Sequence, residues 1–253
     1  MVKPKKRLGQ HFLTDLNIAK KIADSLNDRR NVIEVGPGTG VLTEYFIHDK
    51  SINFKAIETD TEAYEFLQEK YVEHTNKLIL DDFLKSDISS LFDDSFSIVG
   101  NFPYNISSQI FFKVLDNKNR ITEVVGMIQK EVAERIASKE GNKTYGILSV
   151  FLQAYYNIEY LFTVNENVFN PPPKVKSAVI RLTRNNVKKL DCDEKLFTQI
   201  VKISFNQRRK MLRGSLKQFT KNITVEDFPI FTQRPEQLSV NEFVELTNIL
   251  SEN

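Results

Sequence analysis

The chain has 253 residues, of which 41% are hydrophobic and 27% charged, a globular balance that leaves room for one large domain or a medium and a small one. Its net charge of +2 does not by itself indicate a nucleic-acid partner, so the local clustering of charge must decide that question. A single cysteine excludes an intrachain disulfide, and three scattered histidines predict no metal site. No apolar stretch approaches the roughly 18 residues of a membrane helix. We therefore expect a cytoplasmic protein without a signal peptide.

Taken in chain order, the apolar patterns predict strands that alternate with helices. Strands are predicted at 31–35, 52–58, 77–80, 96–100 and 123–129, and helices at 15–26, 41–49, 61–71 and 106–115. Two later strand-like runs, 156–164 and 177–184, flank three consecutive prolines and predict an antiparallel closing pair. This order predicts an α/β fold with a mostly parallel sheet covered on both faces. The pattern turns helical from about residue 190, which predicts two domains, 1–187 and 188–253.

Three glycines follow the first strand of this predicted sheet, at the edge where ligands bind in open α/β folds. Gly36, Gly38 and Gly40 allow a tight turn and a close approach of the backbone to a ligand. Their GxGxG spacing differs from the GxGxxG of dinucleotide-binding turns, which counts against NAD. On its own, the motif is equally consistent with a plain strand-to-helix connection.

Two acids end the next two predicted strands. Glu58 lies about twenty residues after the glycines, where a carboxylate can accept hydrogen bonds from ribose hydroxyls. Asp82 ends the third strand, where it can accept from the exocyclic amine of an adenine. Each acid has a structural alternative, a solvated strand end for Glu58 and a helix cap for Asp82. Together with the glycine turn they predict a pocket for an adenosine-containing cofactor.

The fourth strand runs into Asn101-Phe102-Pro103-Tyr104, a narrow pattern for a strand end. The Asn101 carboxamide oxygen can accept a hydrogen bond from a substrate amine, and Pro103 restricts Phe102 to extended geometry, which aims its carbonyl as a second acceptor. Two acceptors that hold both hydrogens of an aryl amine would draw its lone pair out of conjugation, ready to attack a methyl group. Tyr104 offers a ring on which a base can stack. The structural alternative is a turn with a core aromatic.

The chain resembles the KsgA/Dim1 family of ribosomal RNA adenine N6-dimethyltransferases over almost its whole length. The matching segments keep the family's order and are KKRLGQHFL (5–13), VIEVGPGTGVLT (32–43), IETD (57–60), DDFL (81–84), GNFPYNIS (100–107), FNPPPKVKSAV (169–179) and FNQRRKMLR (205–213). The resemblance implies a Rossmann-like methyltransferase fold with S-adenosylmethionine as methyl donor. It implies as substrate two adjacent adenines in the 3′-terminal hairpin of small-subunit (16S) rRNA, each dimethylated on the immature 30S subunit.

The resemblance also implies which residues hold the cofactor: His11, Leu13, Gly36, Glu58, Asp82 and Asn101. Among these, Gly36 would meet the methionine part, Glu58 the ribose hydroxyls and Asp82 the adenine amine. His11 and Leu13 would line the pocket.

For the target base, the resemblance implies that Phe169 clamps the extruded adenine against Tyr104, with Asn101 between cofactor and target. One departure is Phe102, where the family often has Leu. Because the grip needs only the backbone carbonyl of this residue, we expect activity to be retained and the pocket shape to differ.

Two basic regions predict contact with RNA. Seven basic residues and no acid lie within 202–221, and Arg209, Arg213 and Lys217 recur every four residues, which predicts one stripe on a helix. A solvated charged face is the ordinary alternative. We expect RNA contacts from Lys5, Lys6, Arg7, Arg208, Arg209, Arg213 and Lys217. The domain 188–253 is then a helical RNA-docking module, and we expect a monomer that touches neither metal nor membrane.

Three other functions compete with this interpretation. An Erm-type enzyme methylates large-subunit rRNA and confers macrolide resistance. The segments FNPPPKV, FNQRRK and GQHFL do not separate it cleanly from the small-subunit enzymes, which NFPYNISSQIFFKVL resembles more closely. A non-catalytic ribosome-assembly or RNA-binding protein could use the same scaffold, although the intact Asn101–Tyr104 motif favours catalysis. An NAD dehydrogenase lacks both GxGxxG and an evident histidine for hydride relay.

Overall fold

A computed structural model describes residues 2–221 and 223–251. The chain divides into two compact units, one formed by the residues up to Ala133 together with Asn157–Arg184, and the other by Glu134–Tyr156 and the residues from Asn185 on. The domain boundary at residue 187 stays a prediction. The compact units differ from it in that residues 134–156 belong to the second unit. Residues 134–156 join the C-terminal helices because they carry buried aromatic rings that pack there, among them Phe151 against Phe197 with 6.2 Å between ring centroids.

The first unit is built on a large sheet. Its strands are β2 (Asn31–Val35), β3 (Asn53–Glu58), β4 (Leu78–Leu80), β5 (Phe96–Asn101), β6 (Ile121–Gln129), β7 (Tyr156–Val164) and β9 (Ser177–Arg184). In the described part of the chain these seven strands pair in the order β4-β3-β2-β5-β6-β9-β7. The pairs from β4 to β6 are parallel, and β9 runs antiparallel to β6. A separate antiparallel pair joins β1 (Phe12–Leu13) to β8 (Phe169–Asn170).

Helices of this unit follow the strands, as the alternation predicted. They are α1 (Leu16–Asp24), α2 (Thr61–Lys70) and α3 (Ser107–Asp116), and α4 (Lys130–Ala137) runs from the first unit into the second. Asp15 caps α1 because its carboxylate accepts from the backbone N–H of Asn17 at 2.8 Å and of Ile18 at 3.0 Å. The central strands are apolar on both faces, with Ile33, Val99 and Val125 fully buried.

The helix predicted over 41–49 is wrong. Only Thr43–Tyr45 forms a short 3₁₀ turn there. The side chains of Phe46 and Ile47 are fully buried in the core, so packing rather than helix propensity determines this stretch. The chain therefore leaves the glycine turn through tight turns.

The second unit is helical, with α5 (Ile147–Gln153), α6 (Glu194–Asn206), α7 (Leu212–Ser215) and α8 (Val240–Ser251). The prediction that one helix aligns Arg209, Arg213 and Lys217 is wrong, because α6 ends at Asn206 and α7 is one turn long. Met211 between them is extended, and the N–H of Leu212 donates to the Gln233 carbonyl at 2.8 Å instead of to a preceding turn. None of the helices in 2–221 and 223–251 has the length and apolar composition that crossing a membrane requires.

Candidate active site at the carboxyl ends of the strands

A cleft opens in the first unit where β2, β3, β4 and β5 end. Together with its open mouth it encloses about 970 Å³ of empty space. The predicted site residues that line it are His11, Gly36, Glu58, Asp82, Asn101, Phe102 and Tyr104. Two predicted residues, Leu13 and Phe169, lie elsewhere: they pair with each other across β1 and β8 and are 5% and 4% exposed in the hydrophobic core.

The glycine turn supplies the floor of the cleft. Gly36 has a φ of +67°, and a Cβ placed on it would find only Pro103 Cδ, at 3.9 Å, so its backbone faces open space. Gly38 has a φ of +56°, and a Cβ there would lie 2.9 Å from the ring of Phe12. Both positions therefore need glycine, one for an approaching ligand and one for the neighbouring wall.

Glu58 is a buried acid with acceptor capacity to spare. It is 4% exposed, yet it lines the cleft. Its Oε1 accepts from the N–H groups of Thr59 and Asp60, and its Oε2 accepts from the N–H of Gly38, all at 2.9 Å. Burial raises the pKa of this carboxyl, and the three N–H donors oppose the rise. Oε2 keeps a lone pair for a donor from a ligand.

Asp82 closes the turn that follows β4 and also lines the cleft. Its Oδ1 accepts from the N–H of Leu84 at 3.0 Å within a turn rather than at the start of a helix, and its side chain is still 37% exposed at the cleft. The preceding Asp81 also lines the cleft, and its hydrogen bond from the Ser86 hydroxyl lowers the pKa of that carboxyl. Phe83 adds a buried apolar surface to the same wall.

The charge of the cleft follows from its lining. Among the described residues, the lining includes Glu58, Asp81 and Asp82 and no lysine or arginine. Three carboxylates in a concave site favour a ligand with positive charge and hydrogen-bond donors. The same lining disfavours the pyrophosphate of a dinucleotide, which normally binds a helix N-terminus or cationic groups.

Asn101 has its amide held in one orientation. The Nδ2 group donates to the backbone carbonyl of His11 at 2.8 Å. Among the described residues none donates to Asn101 Oδ1 or to the Phe102 carbonyl, and both residues line the cleft. The N–H of Phe102 donates to the Met127 carbonyl at 3.0 Å, which ties this strand end to β6. The site therefore carries two neighbouring oxygen acceptors without a donor.

The Phe102 ring points away from this chemistry and into the core. It is 1% exposed and meets the ring of Phe111 edge-on, with 5.9 Å between centroids. Gly100 and Gly126 pair across β5 and β6 and leave a slot for the ring. A Cβ on Gly126 would lie 2.5 Å from Phe102 Cε2, and one on Gly100 would lie 3.0 Å from Cε1. The two glycines thus leave room for the ring of Phe102.

Tyr104 is half-buried beside this acceptor pair. Its hydroxyl lies 2.5 Å from the Ser177 hydroxyl, a hydrogen-bonding distance, and burial raises the pKa of the phenol. The ring that faces Tyr104 is the imidazole of His11, with 5.3 Å between centroids and a 30° tilt. The Nδ1–H of His11 donates to the Pro171 carbonyl at 2.8 Å. The clamp by Phe169 stays a prediction.

The basic residues predicted to meet RNA fall into two groups. Lys5 and Arg208 are engaged by acids: Lys5 bonds Asp60, and Arg208 Nε lies 3.7 Å from Glu236 Oε2. The side chains of the others are exposed and form no ion pair or hydrogen bond with a described residue: Lys6, Arg7, Arg209, Arg213 and Lys217. Only the second group offers free charge in this structure.

Several functional residues escaped the sequence reasoning. Asp60 is 3% exposed and holds the N-terminal segment, because Lys5 and Gln10 both donate to its carboxylate. Phe12 and Phe83 form apolar parts of the cleft lining. The segments GQHFL and DDFL contain Gln10 and both phenylalanines, so the motifs themselves were the available signal.

The family is decided by a sequence model described as "Ribosomal RNA adenine dimethylase", which matches residues 1–251. The chain belongs to the ribosomal RNA adenine dimethylase family. The predicted membership in a family of ribosomal RNA adenine dimethyltransferases is therefore confirmed, and an enzyme follows from it. This family membership excludes the alternative of an NAD dehydrogenase.

Two similar proteins indicate the branch of this family. A protein of Phocaeicola vulgatus is 58% identical over 252 residues, which cover 98% of this chain and 90% of the relative. One of Bacteroides thetaiotaomicron is 57% identical over 256 residues, which cover 100% and 96%. Both are named "Ribosomal RNA small subunit methyltransferase A".

Solved structures confirm the predicted Rossmann-like methyltransferase fold. A dimethyladenosine transferase from Plasmodium falciparum superposes with a TM-score of 0.81 at 23% identity, covering 96% of this chain and 98% of its own. The 23S rRNA methyltransferase ErmE gives 0.70 at 24% identity, covering 94% and 99%. At these identities the likeness concerns the fold alone.

Proposed function

We propose that this chain is an S-adenosylmethionine-dependent methyltransferase that dimethylates N6 of two adjacent adenosines in the 3′-terminal hairpin of small-subunit (16S) rRNA. The observation that carries the proposal is the acceptor pair at the end of β5. Because Asn101 Nδ2 is used by the His11 carbonyl, Oδ1 is left beside the free Phe102 carbonyl. The family and the names of its similar relatives support ribosomal RNA as the substrate.

The cleft fits S-adenosylmethionine by its donor and acceptor chemistry. The open backbone at Gly36 accommodates the amino-acid part, Glu58 Oε2 accepts from the ribose hydroxyls, and Asp82 accepts from the adenine amine. The acidic lining complements the cationic sulfonium and ammonium groups. When bound, this cofactor supplies an electrophilic methyl group. His11 belongs to the same wall, and Leu13 supports it from the core through β1.

Asn101 and Phe102 act on the target amine. Their two oxygens accept the two hydrogens of N6, which turns the nitrogen lone pair out of the ring's conjugation and toward the methyl group. As N6 gains the methyl group, the methyl–sulfur bond breaks and its electron pair stays on sulfur, which leaves as a neutral thioether. The alkylated amine is acidic and releases its proton to water, so the site needs no strong general base. The contribution of the protein is position and local polarity.

The target adenine stacks on Tyr104, with Phe169 proposed as the opposite ring of the clamp. His11 now covers Tyr104 with 5.3 Å between ring centroids, and no base fits between rings at that spacing. A base that inserts between these two rings requires that His11 and Tyr104 separate, whereas a base that stacks on the other face of Tyr104 does not. To form the clamp, Phe169 would have to leave its buried position, or contact the adenine only through the exposed edge of its ring.

The basic residues dock structured RNA. Lys6 and Arg7 of the first unit and Arg209, Arg213 and Lys217 of the second are exposed and free to bind phosphates. Lys5 and Arg208 contribute by holding their segments, through Asp60 and Glu236. We propose the immature 30S subunit as the partner, a monomer as the working form and the cytoplasm as the location.

Two alternatives remain distinguishable by experiment. An Erm-type activity on large-subunit rRNA is not favoured, since the similar relatives carry the small-subunit name. A purely non-catalytic role in assembly is disfavoured by the intact acceptor pair, although an assembly role can accompany catalysis.

The test offers radiolabelled S-adenosylmethionine with immature small subunits in one tube and protein-free large-subunit rRNA in another, followed by mapping of the labelled nucleotide. We expect label on two adjacent adenines near the 3′ end of small-subunit rRNA. The Asn101→Ala variant is expected to abolish transfer and to leave cofactor affinity only modestly weaker. Asn157→Ala is the matched control, because Asn157 is an exposed residue on the edge strand β7. Label on the large-subunit rRNA, or full transfer by Asn101→Ala, would refute the proposal.

A further inference from the structure

A short loop at the mouth of the cleft has no part in the function described so far. This proline loop, residues 171–176, runs from the end of β8 to the start of β9. It is anchored at both ends to cleft residues, because the Pro171 carbonyl accepts from His11 Nδ1 at 2.8 Å and the adjoining Ser177 hydroxyl lies 2.5 Å from Tyr104 Oη. The loop therefore spans the rim beside the His11–Tyr104 ring pair.

The proline loop presents unpaired positive charge. Lys174 and Lys176 are exposed, and neither forms an ion pair or side-chain hydrogen bond with a described residue. Val175 between them is 46% exposed, one of the few large apolar side chains at the surface. By contrast, Lys5 on the N-terminal segment is bound to Asp60 and has little charge to offer.

The interior of the cleft cannot hold a phosphate backbone. Its charged lining consists of Glu58, Asp81 and Asp82, which repel phosphates. A nucleotide that inserts its base must therefore leave its own and its flanking phosphates at the rim. Cations are available there from the proline loop and from Lys6 and Arg7, which come just before the cleft-lining Leu8 in the chain.

We propose that the proline loop is an RNA-binding surface, on which Lys174 and Lys176 bind the phosphates that flank the target adenosine. The inference rests on the proposed function and adds a substrate contact to it. Val175 packs against the exposed ribose or base next to the inserted one. Such contacts orient the strand without reading its sequence, and they release counterions, so they make binding dependent on salt.

The test compares lysine-to-alanine variants of the whole chain, made singly and as the double Lys174→Ala/Lys176→Ala variant. Lys174→Ala and Lys176→Ala are matched by Lys50→Ala, since Lys50 is exposed and precedes β3 at the end of the sheet away from the cleft. A double Lys174→Arg/Lys176→Arg variant keeps both charges. Binding of a 3′-terminal hairpin RNA is titrated across a salt series, and KM and kcat are measured on immature small subunits.

We expect the double Lys174→Ala/Lys176→Ala variant to raise KM with little change in kcat. Its plot of log affinity against log salt should be shallower by about 1.4, since each phosphate contact on a single strand contributes about 0.7. The ratio of the wild-type RNA affinity to the variant RNA affinity then falls about sevenfold as salt rises from about 50 to about 200 mM. The arginine pair should restore binding, and Lys50→Ala should match the wild type.

An unchanged salt slope and KM in the alanine pair would overturn the inference, as would an equal effect from Lys50→Ala. Binding of S-adenosylhomocysteine reports whether the variants are folded, because that ligand does not meet the loop lysines. Failure of the proposed function is a separate outcome. In that case the wild type itself methylates no small subunit, whatever the lysine variants do.

Discussion

The glycine slot behind Phe102 gives the sharpest prediction about how the core positions the acceptor pair. Gly126→Ala would place a Cβ 2.5 Å from Phe102 Cε2, whereas ordinary contacts begin near 3.4 Å. The ring has no room to withdraw, since it is 1% exposed and backed by Phe111. A shift of about 1 Å must therefore pass to the backbone that carries the Phe102 carbonyl.

Overpacking of this kind costs about 1–3 kcal/mol of unfolding free energy, and a 1 Å displacement of a reacting group lowers kcat by about 100-fold. Urea unfolding and single-turnover methyl transfer measure the two effects. Phe102→Leu in the Gly126→Ala background should recover much of both, because it removes the clashing ring edge.

The matched control is Gly141→Ala, where a Cβ would meet nothing within 4 Å. Its φ of +82° makes alanine strained, so this variant loses stability without touching the cleft and should keep the wild-type kcat. If Gly126→Ala keeps both the wild-type unfolding free energy and the wild-type kcat, the slot does not hold Phe102 and the reasoning is refuted.

Three further predictions concern ionisable groups of the first unit. Burial raises the pKa of Glu34 from its ordinary value of 4.5 to about 8, so between these values the folded carboxyl keeps a proton that the unfolded one releases. As the pH rises between those values, the wild type should therefore lose about 1.4 kcal/mol of unfolding free energy per pH unit relative to Glu34→Gln. Urea unfolding of both proteins across pH measures this difference, and parallel pH profiles would contradict it. Lys5→Ala should weaken cofactor binding several-fold in calorimetry by freeing Asp60, whereas Lys20→Ala, from a surface pair with Asp24, should not. Glu58→Gln should raise the Kd of S-adenosylhomocysteine by about tenfold to 100-fold, and an unchanged Kd would remove Glu58 from the ribose site.

Local patterns were enough to predict most of the sheet. The strands predicted at 31–35, 156–164 and 177–184 match β2, β7 and β9 at both ends, since β-branched and aromatic runs bounded by turn residues depend little on distant contacts. The helix at 41–49 failed because the burial of Phe46 and Ile47 overrides its propensity. The basic stripe failed for a similar reason, a hydrogen bond from Leu212 to a residue of a later turn.

The candidate site shows the same limit. Motifs placed Gly36, Glu58 and Asn101 at one cleft because strand ends of a parallel sheet converge. They could not indicate that the Asn101 amide is oriented by a carbonyl 90 residues earlier, or that Lys5 is bound by an acid 55 residues later. They also gave no direction for the Phe169 side chain, which follows from the pairing of β8 with β1.

The most direct measurement is the crystal structure of the protein with S-adenosylhomocysteine and an RNA that carries the target adenosine. We predict that N6 of the inserted base lies within about 3.2 Å of both Asn101 Oδ1 and the Phe102 carbonyl oxygen, with Asn101 Nδ2 still on the His11 carbonyl. An inserted base whose N6 meets neither oxygen, or an Asn101 side chain rotated so that Nδ2 faces that base, would contradict the account.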